Sequence, residues 1–349
     1  MTGRRIFAWT SRLVALTLAL SLPAAAQEFE KNILTGGPNG TYIKIGRDIS
    51  ALASQCGQTL NVRESAGSLE NFLGVRQRRF TQFAIVQSDV LEYLRTFAAD
   101  DPDIARTIRG VRIAFPLYDE EVHLLGTRDI ADLQGLAGKR VAVGVEDSGT
   151  FLTASLALDL AEVDPAERIT IGPDASLEAL LAGEIDAFFY VAGAPTALFE
   201  NEAIDPERFH LVPITDPVLQ AVYQPATIAG GVYPFQPDPV DLITVKAVLM
   251  TFEYRPGDNA YHRASCTAVS DISHMILTGF DELKRTGHPK WQQVDLNEIP
   301  PGWEIGSCVN AGLDPNYVLQ CSGAPAAAES LESQANEVYR ARICNVMGC

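Results

Sequence analysis

The stretch Ser68–Asp89, SLENFLGVRQRRFTQFAIVQSD, shows the unit from which this chain is built. A serine and a nearby acidic residue open a helical run, and the run ends in the apolar strand Phe83–Val86. The stretch Ser176–Val191, SLEALLAGEIDAFFYV, repeats that order and ends in a second apolar strand. A serine before a helix is common capping chemistry, so the shared triplet says little by itself. The two complete stretches indicate equivalent units in two similar lobes.

The same alternation of short apolar strands and longer helical runs extends from Lys31 to about Pro300. Close spacing of this kind is typical of parallel sheets built from strand–helix–strand units, so we predict an α/β fold. The predicted strands are Asn32–Leu34, Thr59–Val62, Phe83–Val86, Arg140–Val143, Asp186–Tyr190 and Ile243–Thr251. The predicted helices include Tyr42–Ala53, Leu69–Arg78, Phe151–Ala161 and Leu177–Ala182.

Residues 1–26 have the features of an export signal. Arg4 and Arg5 supply a basic start, Leu13–Leu22 is short and mostly apolar, and Ala24–Ala26 offers a small-residue cleavage site. The apolar run is shorter than the roughly 20 residues that a membrane span needs. We therefore predict a cleaved signal peptide and a periplasmic protein. An uncleaved anchor is the alternative, and the arginine pair also fits a twin-arginine signal, although a plain secretory signal is the expectation.

The charge of the chain excludes some partners. It has 27 Lys+Arg against 44 Asp+Glu and a formal net charge of −17, which becomes −20 without residues 1–26 and their three arginines. A chain this acidic is repelled by nucleic acid and by anionic lipid headgroups. The sign of a small ligand stays open, because a site can be locally positive inside a negative protein. The length fits about two domains.

Three loops rich in Gly, Ser and Thr each connect a predicted strand to a predicted helix. They are Thr35–Tyr42 (TGGPNGTY), Ser65–Asn71 (SAGSLEN) and Glu146–Thr150 (EDSGT). The first N–H groups of a helix lack internal partners, and the helix dipole adds partial positive charge there. Such loops can hold a carboxylate without any arginine. The alternative is that these loops are ordinary caps on surface helices. The presence of three such loops in one α/β chain favours a ligand site over this alternative.

Signs of catalysis are few. The sequence has no His-Glu-x-x-His zinc helix and no Gly-x-Ser-x-Gly elbow, and its glycine loops lack the endings that phosphate-binding motifs need. Ser148 has no motif that supplies a general base, and the five histidines are scattered. We predict a binding protein without a cofactor, a metal or enzymatic activity.

An ordered set of short motifs resembles the TAXI-type substrate-binding subunits of TRAP transporters. The resemblance covers about residues 30–303. Its members are Leu34–Tyr42, Gly67–Asn71, Ala84–Asp89, Gly138–Gly144, Ser148–Thr150, Phe189–Thr196, Pro225–Ile228, Gly231 and Tyr233-Pro234.

The resemblance implies a two-lobed type II periplasmic binding protein fold with the ligand in the cleft between the lobes. Lobe 1 is expected at 30–118 and 225–303, and lobe 2 at 119–224. The chain is expected to cross between them near Phe115–Asp119 and Ala221–Ala226. Residues 304–349 are expected to form a separate cysteine-rich extension.

The resemblance also implies a small anionic ligand and a membrane partner. The ligand is expected to be a small carboxylate: an acidic amino acid, a 2-oxo acid or a dicarboxylate. The partner is expected to be an ion-gradient-driven TRAP permease, served by a monomeric binding protein. The expected ligand-binding residues are Gly40, Thr41, Tyr42, Gly67, Ser68, Asn71 and Gln87 in lobe 1, Ser148, Gly149 and Thr150 in lobe 2, and Thr227.

Six cysteines in the exported part fit an oxidising compartment. Metal binding is the weaker alternative, because no CxxC pair occurs and the tail has no histidine. Four cysteines lie within the last 42 residues, in a segment too small for its own core, so two disulfides among them are expected. A third bond, Cys56–Cys266, is expected by exclusion and because both residues fall in lobe 1. The tail cysteines are Cys308, Cys321, Cys344 and Cys349.

Two other functions stay open at this level. One is a periplasmic sensor subunit that presents the ligand to a receptor kinase, for which the fold and site are the same. The other is a secreted hydrolase or lyase on a similar scaffold, which requires an acid–base or nucleophile constellation that the sequence does not show.

Overall fold

A mixed β-sheet runs through the whole protein, in a computed structural model that describes residues 29–98 and 100–319. Its strands are β1 (Asn32–Leu34), β2 (Asn61–Arg63), β3 (Thr81–Gln87), β4 (Val111–Thr127), β5 (Arg140–Ala142), β6 (Glu167–Ile169), β7 (Ala187–Ala192), β8 (Phe209–Leu211), β9 (Gln224–Ile228) and β10 (Val240–Phe252). The helices are α1 (Thr41–Gln55), α2 (Ser68–Gln77), α3 (Val90–Phe97), α4 (Pro102–Gly110), α5 (Gly149–Leu160), α6 (Pro173–Ala182), α7 (Pro217–Val222), α8 (Ala260–Thr278), α9 (Phe280–Thr286) and α10 (Ser307–Gly312). The predicted export signal lies outside the described residues.

Local sequence explains where the helices start and which face they bury. In α1, Tyr42, Ile45, Ile49 and Leu52 recur at helical spacing and are buried, which places one apolar stripe against the sheet. Helix α6 starts with a proline in its first turn and ends at Gly183, whose φ of 76° is readily reached only by glycine. Within 29–98 and 100–319, no helix is both long and apolar enough to cross a membrane.

The order of strands divides the sheet into two similar halves. The order is β2-β1-β3-β10-β4-β7-β5-β6, with β8 added on β4 and β9 on β10. On one side β1, β2 and β3 are parallel, and on the other β5, β6 and β7 are parallel. The long strands β4 and β10 lie between these blocks and pair antiparallel with each other. The expected two-lobed α/β fold is confirmed: each parallel block is the centre of one lobe, and β4 and β10 run through both.

The hydrophobic cores follow the same division. Lobe 1 has one buried cluster on each face of its half-sheet, one containing Trp291 and the other Phe72. Lobe 2 has a single cluster that contains Phe188 and Phe199. Tyr233 and Phe235, which the sequence analysis assigned to lobe 1, are buried in the lobe 2 cluster.

The beginning of the expected C-terminal extension packs on lobe 1 instead of standing apart. Ile305 forms a bridge with Ile113 of β4, and Val309 of α10 is fully buried in the lobe 1 core. Cys308 is bonded to Cys266 of α8, with Cα atoms 5.2 Å apart. Two predictions are therefore wrong: Cys308 does not pair within the tail, and Cys266 does not pair with Cys56, which is itself disulfide-bonded.

The physical reason is that α10 packs against α8, so Cys308 meets a lobe 1 cysteine before any cysteine of the tail. Closeness in sequence favoured a tail pair, but tertiary packing decides which thiols meet. Cys321, Cys344 and Cys349 lie outside the described residues. Because Cys308 is bonded to Cys266, the two disulfides expected among the four tail cysteines cannot both form, and at most one bond among the other three stays a prediction.

We expect the Cys266–Cys308 bond to stabilise lobe 1 substantially. It spans 42 residues of sequence, for which chain-entropy arguments give up to about 4 kcal/mol of folding free energy. The double variant Cys266→Ala/Cys308→Ala should therefore unfold at lower denaturant concentration than the native protein. A non-reduced peptide map should recover the two cysteines in one linked pair of peptides, and a link from Cys308 to a tail cysteine would contradict the assignment.

Candidate functional site

A cavity of about 580 Å³ lies between the two lobes. The loops that follow the parallel strands of the two lobes line it from opposite sides. Ligands of open α/β sheets bind at such strand ends. Lobe 1 lines it with residues 36–42, 65–68 and Gln87, and the crossing strand β4 contributes Glu120. Lobe 2 lines it with 144–145, 148–150, 173–174, Leu177, Glu178, Leu181, 189–192, 196–198 and Asn201.

Most of the expected ligand-binding residues lie around this cavity. Gly40, Thr41, Tyr42, Gly67, Ser68, Gln87, Ser148, Gly149 and Thr150 line it. Asn71 and Thr227 do not. The three glycine-containing loops that the sequence singled out therefore meet at one place, although they do not play equivalent parts there.

The start of α1 is open toward the cavity. The N-cap residue is Gly40, which has no side chain to accept from the first-turn N–H groups. The Gly40 N–H donates to the Gly37 carbonyl and closes the loop at 3.1 Å. The first turn of α1 therefore presents uncapped N–H groups and the positive end of a 15-residue helix to the cavity.

The start of α2 is already occupied by the opposite lobe. The N–H groups of Leu69 and Glu70 both donate to the Asp147 carbonyl, at 3.0 and 3.2 Å. Gly67 has a φ of 132°, and a Cβ there would lie 3.2 Å from the Gly149 nitrogen. The second loop thus serves mainly to receive lobe 2, and its helix start has little capacity left for an anion.

The third loop caps its own helix. The Ser148 hydroxyl accepts from the Phe151 N–H at 3.0 Å, and the Thr150 hydroxyl accepts from the Val191 N–H at 3.1 Å. Both hydroxyls line the cavity, and a hydroxyl that accepts one hydrogen bond can still donate another. Ser148 and Thr150 can therefore offer O–H donors to a ligand from lobe 2.

The side chains of Asn71 and Thr227 hydrogen-bond to other parts of the protein and lie outside the cavity lining. The Asn71 amide is fully buried and donates to the carbonyls of Thr35 and Ile85, which ties the end of β1 to β3. Thr227 is exposed on β9, where its hydroxyl donates to Asp241 at 2.6 Å. Sequence alone could not separate Asn71 from a ligand residue, because it follows the same glycine loop as Ser68.

Glu120 is a cavity residue that sequence reasoning missed. It is 3% exposed, accepts a hydrogen bond from the Tyr42 hydroxyl at 2.6 Å, and lies 3.4 Å from the Tyr118 hydroxyl. Burial, partly opposed by the Tyr42 hydrogen bond, raises the pKa of Glu120 to about 8. The available signal was a run of three acidic residues within an otherwise apolar stretch, close to a predicted crossing.

The lobes are in direct contact beside the cavity. The Asp89 carboxylate of lobe 1 accepts from the hydroxyls of Thr153 and Tyr223, each at 3.0 Å. Leu152 and Leu156 of α5 are buried in a lobe 1 cluster. Burial, opposed by those two hydrogen bonds, raises the pKa of Asp89 to about 6. The protein is therefore in a closed arrangement.

A buried ion pair lies beside the crossing strand β4. The Lys290 ammonium lies 2.9 Å from Glu121 and is 3% exposed. Glu121 also accepts from the Ala194 N–H of lobe 2 at 2.6 Å. No group of three or more His, Cys, Asp or Glu side chains in the described part of the chain is arranged to hold a metal ion.

Two α/β lobes that close on a cavity beside crossing strands are the arrangement of a periplasmic-type solute-binding protein. The family model that matches this chain describes the NMT1-like family, and the match extends over residues 33–263. The chain belongs to the NMT1-like family, which comprises periplasmic-type solute-binding proteins.

Solved structures similar to this chain include binding proteins and a sensor. MatC from Rhodopseudomonas palustris, with bound malate, is 15% identical over 73% of this chain and 88% of that chain, with a TM-score of 0.44. The periplasmic binding protein BugD is 8% identical over 75% and 84%, with a TM-score of 0.44. A histidine kinase sensor domain with similarity to periplasmic binding proteins is 14% identical over 76% and 96%, with a TM-score of 0.40. Likeness at this level says nothing about ligand or partner.

We expect Asn71→Ala to lower stability without a direct loss of ligand contacts. The change removes the amide donor from two buried backbone carbonyls, and because the Thr35 carbonyl keeps the Ser65 hydroxyl as a donor, we expect a loss of about 1–3 kcal/mol in total. Thr41→Ala, at the open helix start, is the matched comparison and should affect ligand affinity more than unfolding. Thermal melts without ligand separate the two, and an unchanged melting temperature for Asn71→Ala would contradict the structural role.

Proposed function

We propose that this protein captures one small carboxylate between its lobes and delivers it to an ion-gradient-driven permease of the TRAP type. The single observation that supports a carboxylate ligand is the uncapped start of α1, which faces the cavity between Gly40 and Tyr42. Binding proteins of this kind serve membrane permeases or sensor kinases. The motif resemblance to TAXI-type subunits supports the permease as the partner.

The chemistry of the cavity supports binding without catalysis. Its lining offers backbone N–H groups from α1 and hydroxyl donors from Ser148 and Thr150. These groups hold and orient a polar molecule, and none of them forms a nucleophile–base pair. The ligand is therefore expected to leave unchanged.

Ligand capture works through the balance between open and closed forms. The lobe contacts at Asp147 and Asp89 hold the closed form together, and a ligand that touches both lobes adds to them. A permease that recognises only the closed outline can then distinguish loaded from empty protein.

We propose lobe boundaries that differ slightly from the sequence expectation. We keep the first crossing near Phe115–Asp119, within β4. We place the return crossing within β10, because Tyr233 and Phe235 pack in the lobe 2 core. A periplasmic, monomeric protein with a cleaved signal remains part of the proposal.

The direct test is a thermal-shift screen of small carboxylates, followed by calorimetry. We expect one ligand per chain and a rise in unfolding free energy of about 2.7 kcal/mol at 100 times the dissociation constant. Mass spectrometry of ligand recovered after long incubation should show no conversion. Stoichiometric conversion, or no carboxylate that binds, would contradict the proposal.

Closure can be tested with a wedge at the lobe interface. A methyl group added at Gly149 would overlap the Gln87 amide oxygen and lie 2.7 Å from the Ser68 hydroxyl, both of lobe 1. Gly149→Ala should therefore weaken binding by about tenfold or more, equivalent to about 1.4 kcal/mol, and increase the radius of gyration of the liganded protein.

Gly172→Ala is the control for this wedge. A methyl group there meets only Val145, at an ordinary 3.8 Å, and the change is in the same lobe. It should leave affinity and the scattering profile unchanged. If Gly149→Ala behaves like Gly172→Ala, the observed closed contact is not required for binding.

A further inference from the structure

The charges that line the cavity are unbalanced. Among the described residues that line it, the ionisable acids are Glu120, Asp174 and Glu178, and there is no Lys, Arg or His. Asp174 and Glu178 are exposed on α6 at the rim, whereas Glu120 is buried in the floor. A ligand with only negative charges would therefore meet a buried carboxyl group in its site.

Glu120 has hydrogen-bond partners but no cation of its own. Its oxygens face the phenol hydroxyls of Tyr42 and Tyr118. The nearby ammonium of Lys290 is held by Glu121, at 2.9 and 3.1 Å to its two oxygens, and by the Asp119 carbonyl. Full burial of a carboxylate without a cation is costly, so the empty site favours the protonated acid.

The cavity therefore has two unlike poles. At the start of α1 it offers N–H donors, and at Glu120 it offers an acceptor that becomes an anion when a cation replaces its proton. Tyr42 belongs to both, because it is in the first turn of α1 and its hydroxyl bonds Glu120. The helix start and the Glu120 carboxyl are therefore separated by no more than one helical turn and one side chain.

We propose that Glu120 is the specificity-determining residue of this cavity and selects a carboxylate that also carries an ammonium group, with release of the Glu120 proton on binding. This inference rests on the proposed function and narrows it to amino-acid-type ligands. The ammonium keeps its own protons, the Glu120 proton leaves to solvent, and an ion pair takes its place.

The proton release has a defined pH range. Because the pKa of Glu120 is about 8, the free protein holds this proton at neutral pH, and affinity for the ammonium ligand should rise with pH up to that value. Of the other groups near Glu120, Asp89 has a pKa of about 6, below that of Glu120, and burial raises the pKa values of Tyr42, Tyr118 and Tyr190 above the usual value. Glu121 forms an ion pair with Lys290.

The experiment uses matched sets of three compounds that share one side chain: an amino acid, its 2-oxo acid and its decarboxylated amine. Calorimetry of the exported full chain at pH 7 in buffers of different ionisation enthalpy counts the protons released. We expect the amino acid to bind at least about tenfold more tightly than the 2-oxo acid and to release about one proton.

Glu120→Gln tests the residue itself. It keeps the shape of the side chain and should lose about tenfold or more in amino-acid affinity, release no proton, and bind the 2-oxo acid as well as or better than the native protein. Glu92→Gln is the control, since it removes an exposed acid of α3 that does not line the cavity and should keep the native preference and proton count. The proton count of the native protein needs no variant, so the test survives poor folding of Glu120→Gln.

The outcomes separate this inference from the proposed function. Tighter binding of the 2-oxo acid, or amino-acid binding without proton release, overturns the inference and leaves carboxylate capture intact. Equal binding of the amine and the amino acid supports the Glu120 pole and overturns the carboxylate assignment at α1. Failure of every compound in several matched sets overturns both.

Discussion

The antiparallel pairing of β4 with β10 is the constraint on which the rest of this structure depends. β4 pairs with β10 from Val111 to Glu121, and its later residues pair with β7 of lobe 2. Because both strands belong to both lobes, the lobes share a sheet and cannot slide independently past one another. The loops at the ends of the two parallel blocks are thereby brought to face each other, and the cavity lies between them.

Closure depends on polar groups that are satisfied across the gap. The Asp147 carbonyl accepts hydrogen bonds from two N–H groups of α2, and the Asp89 carboxylate accepts hydrogen bonds from two hydroxyls of the other lobe. If the lobes separate, these groups must find water instead, and Leu152 and Leu156 become exposed. The interface therefore adds to closure independently of any ligand. It also explains why the N–H groups at the start of α2 are already hydrogen-bonded, while those at the start of α1 remain uncapped.

The sequence predicted the fold better than it predicted the roles of single residues. The apolar pattern and the loop composition were enough to locate α1, α2 and β3, because the two helices bury apolar residues at helical spacing and β3 contains a short apolar run that is buried throughout. The disulfide was mispredicted because closeness in sequence does not report that α10 packs on α8. Asn71 and Ser68 could not be told apart, since only the tertiary structure shows that the Asn71 amide faces the carbonyls of β1 and β3.

Glu120 was missed for a related reason, and the sheet explains its position. Successive residues of a strand point to opposite faces, so Glu120 and Glu121 must diverge. The strand register fixes which face of the sheet each side chain occupies. In this register Glu120 pairs with Val245, and Glu121 pairs with Thr244 and Ala192. Glu121 meets Lys290 and the Ala194 N–H, whereas Glu120 meets Tyr42 and the cavity. A slip of one residue would exchange the two carboxyls. The register that joins the lobes therefore also decides that Glu120, and not the carboxyl held by Lys290, faces the cavity.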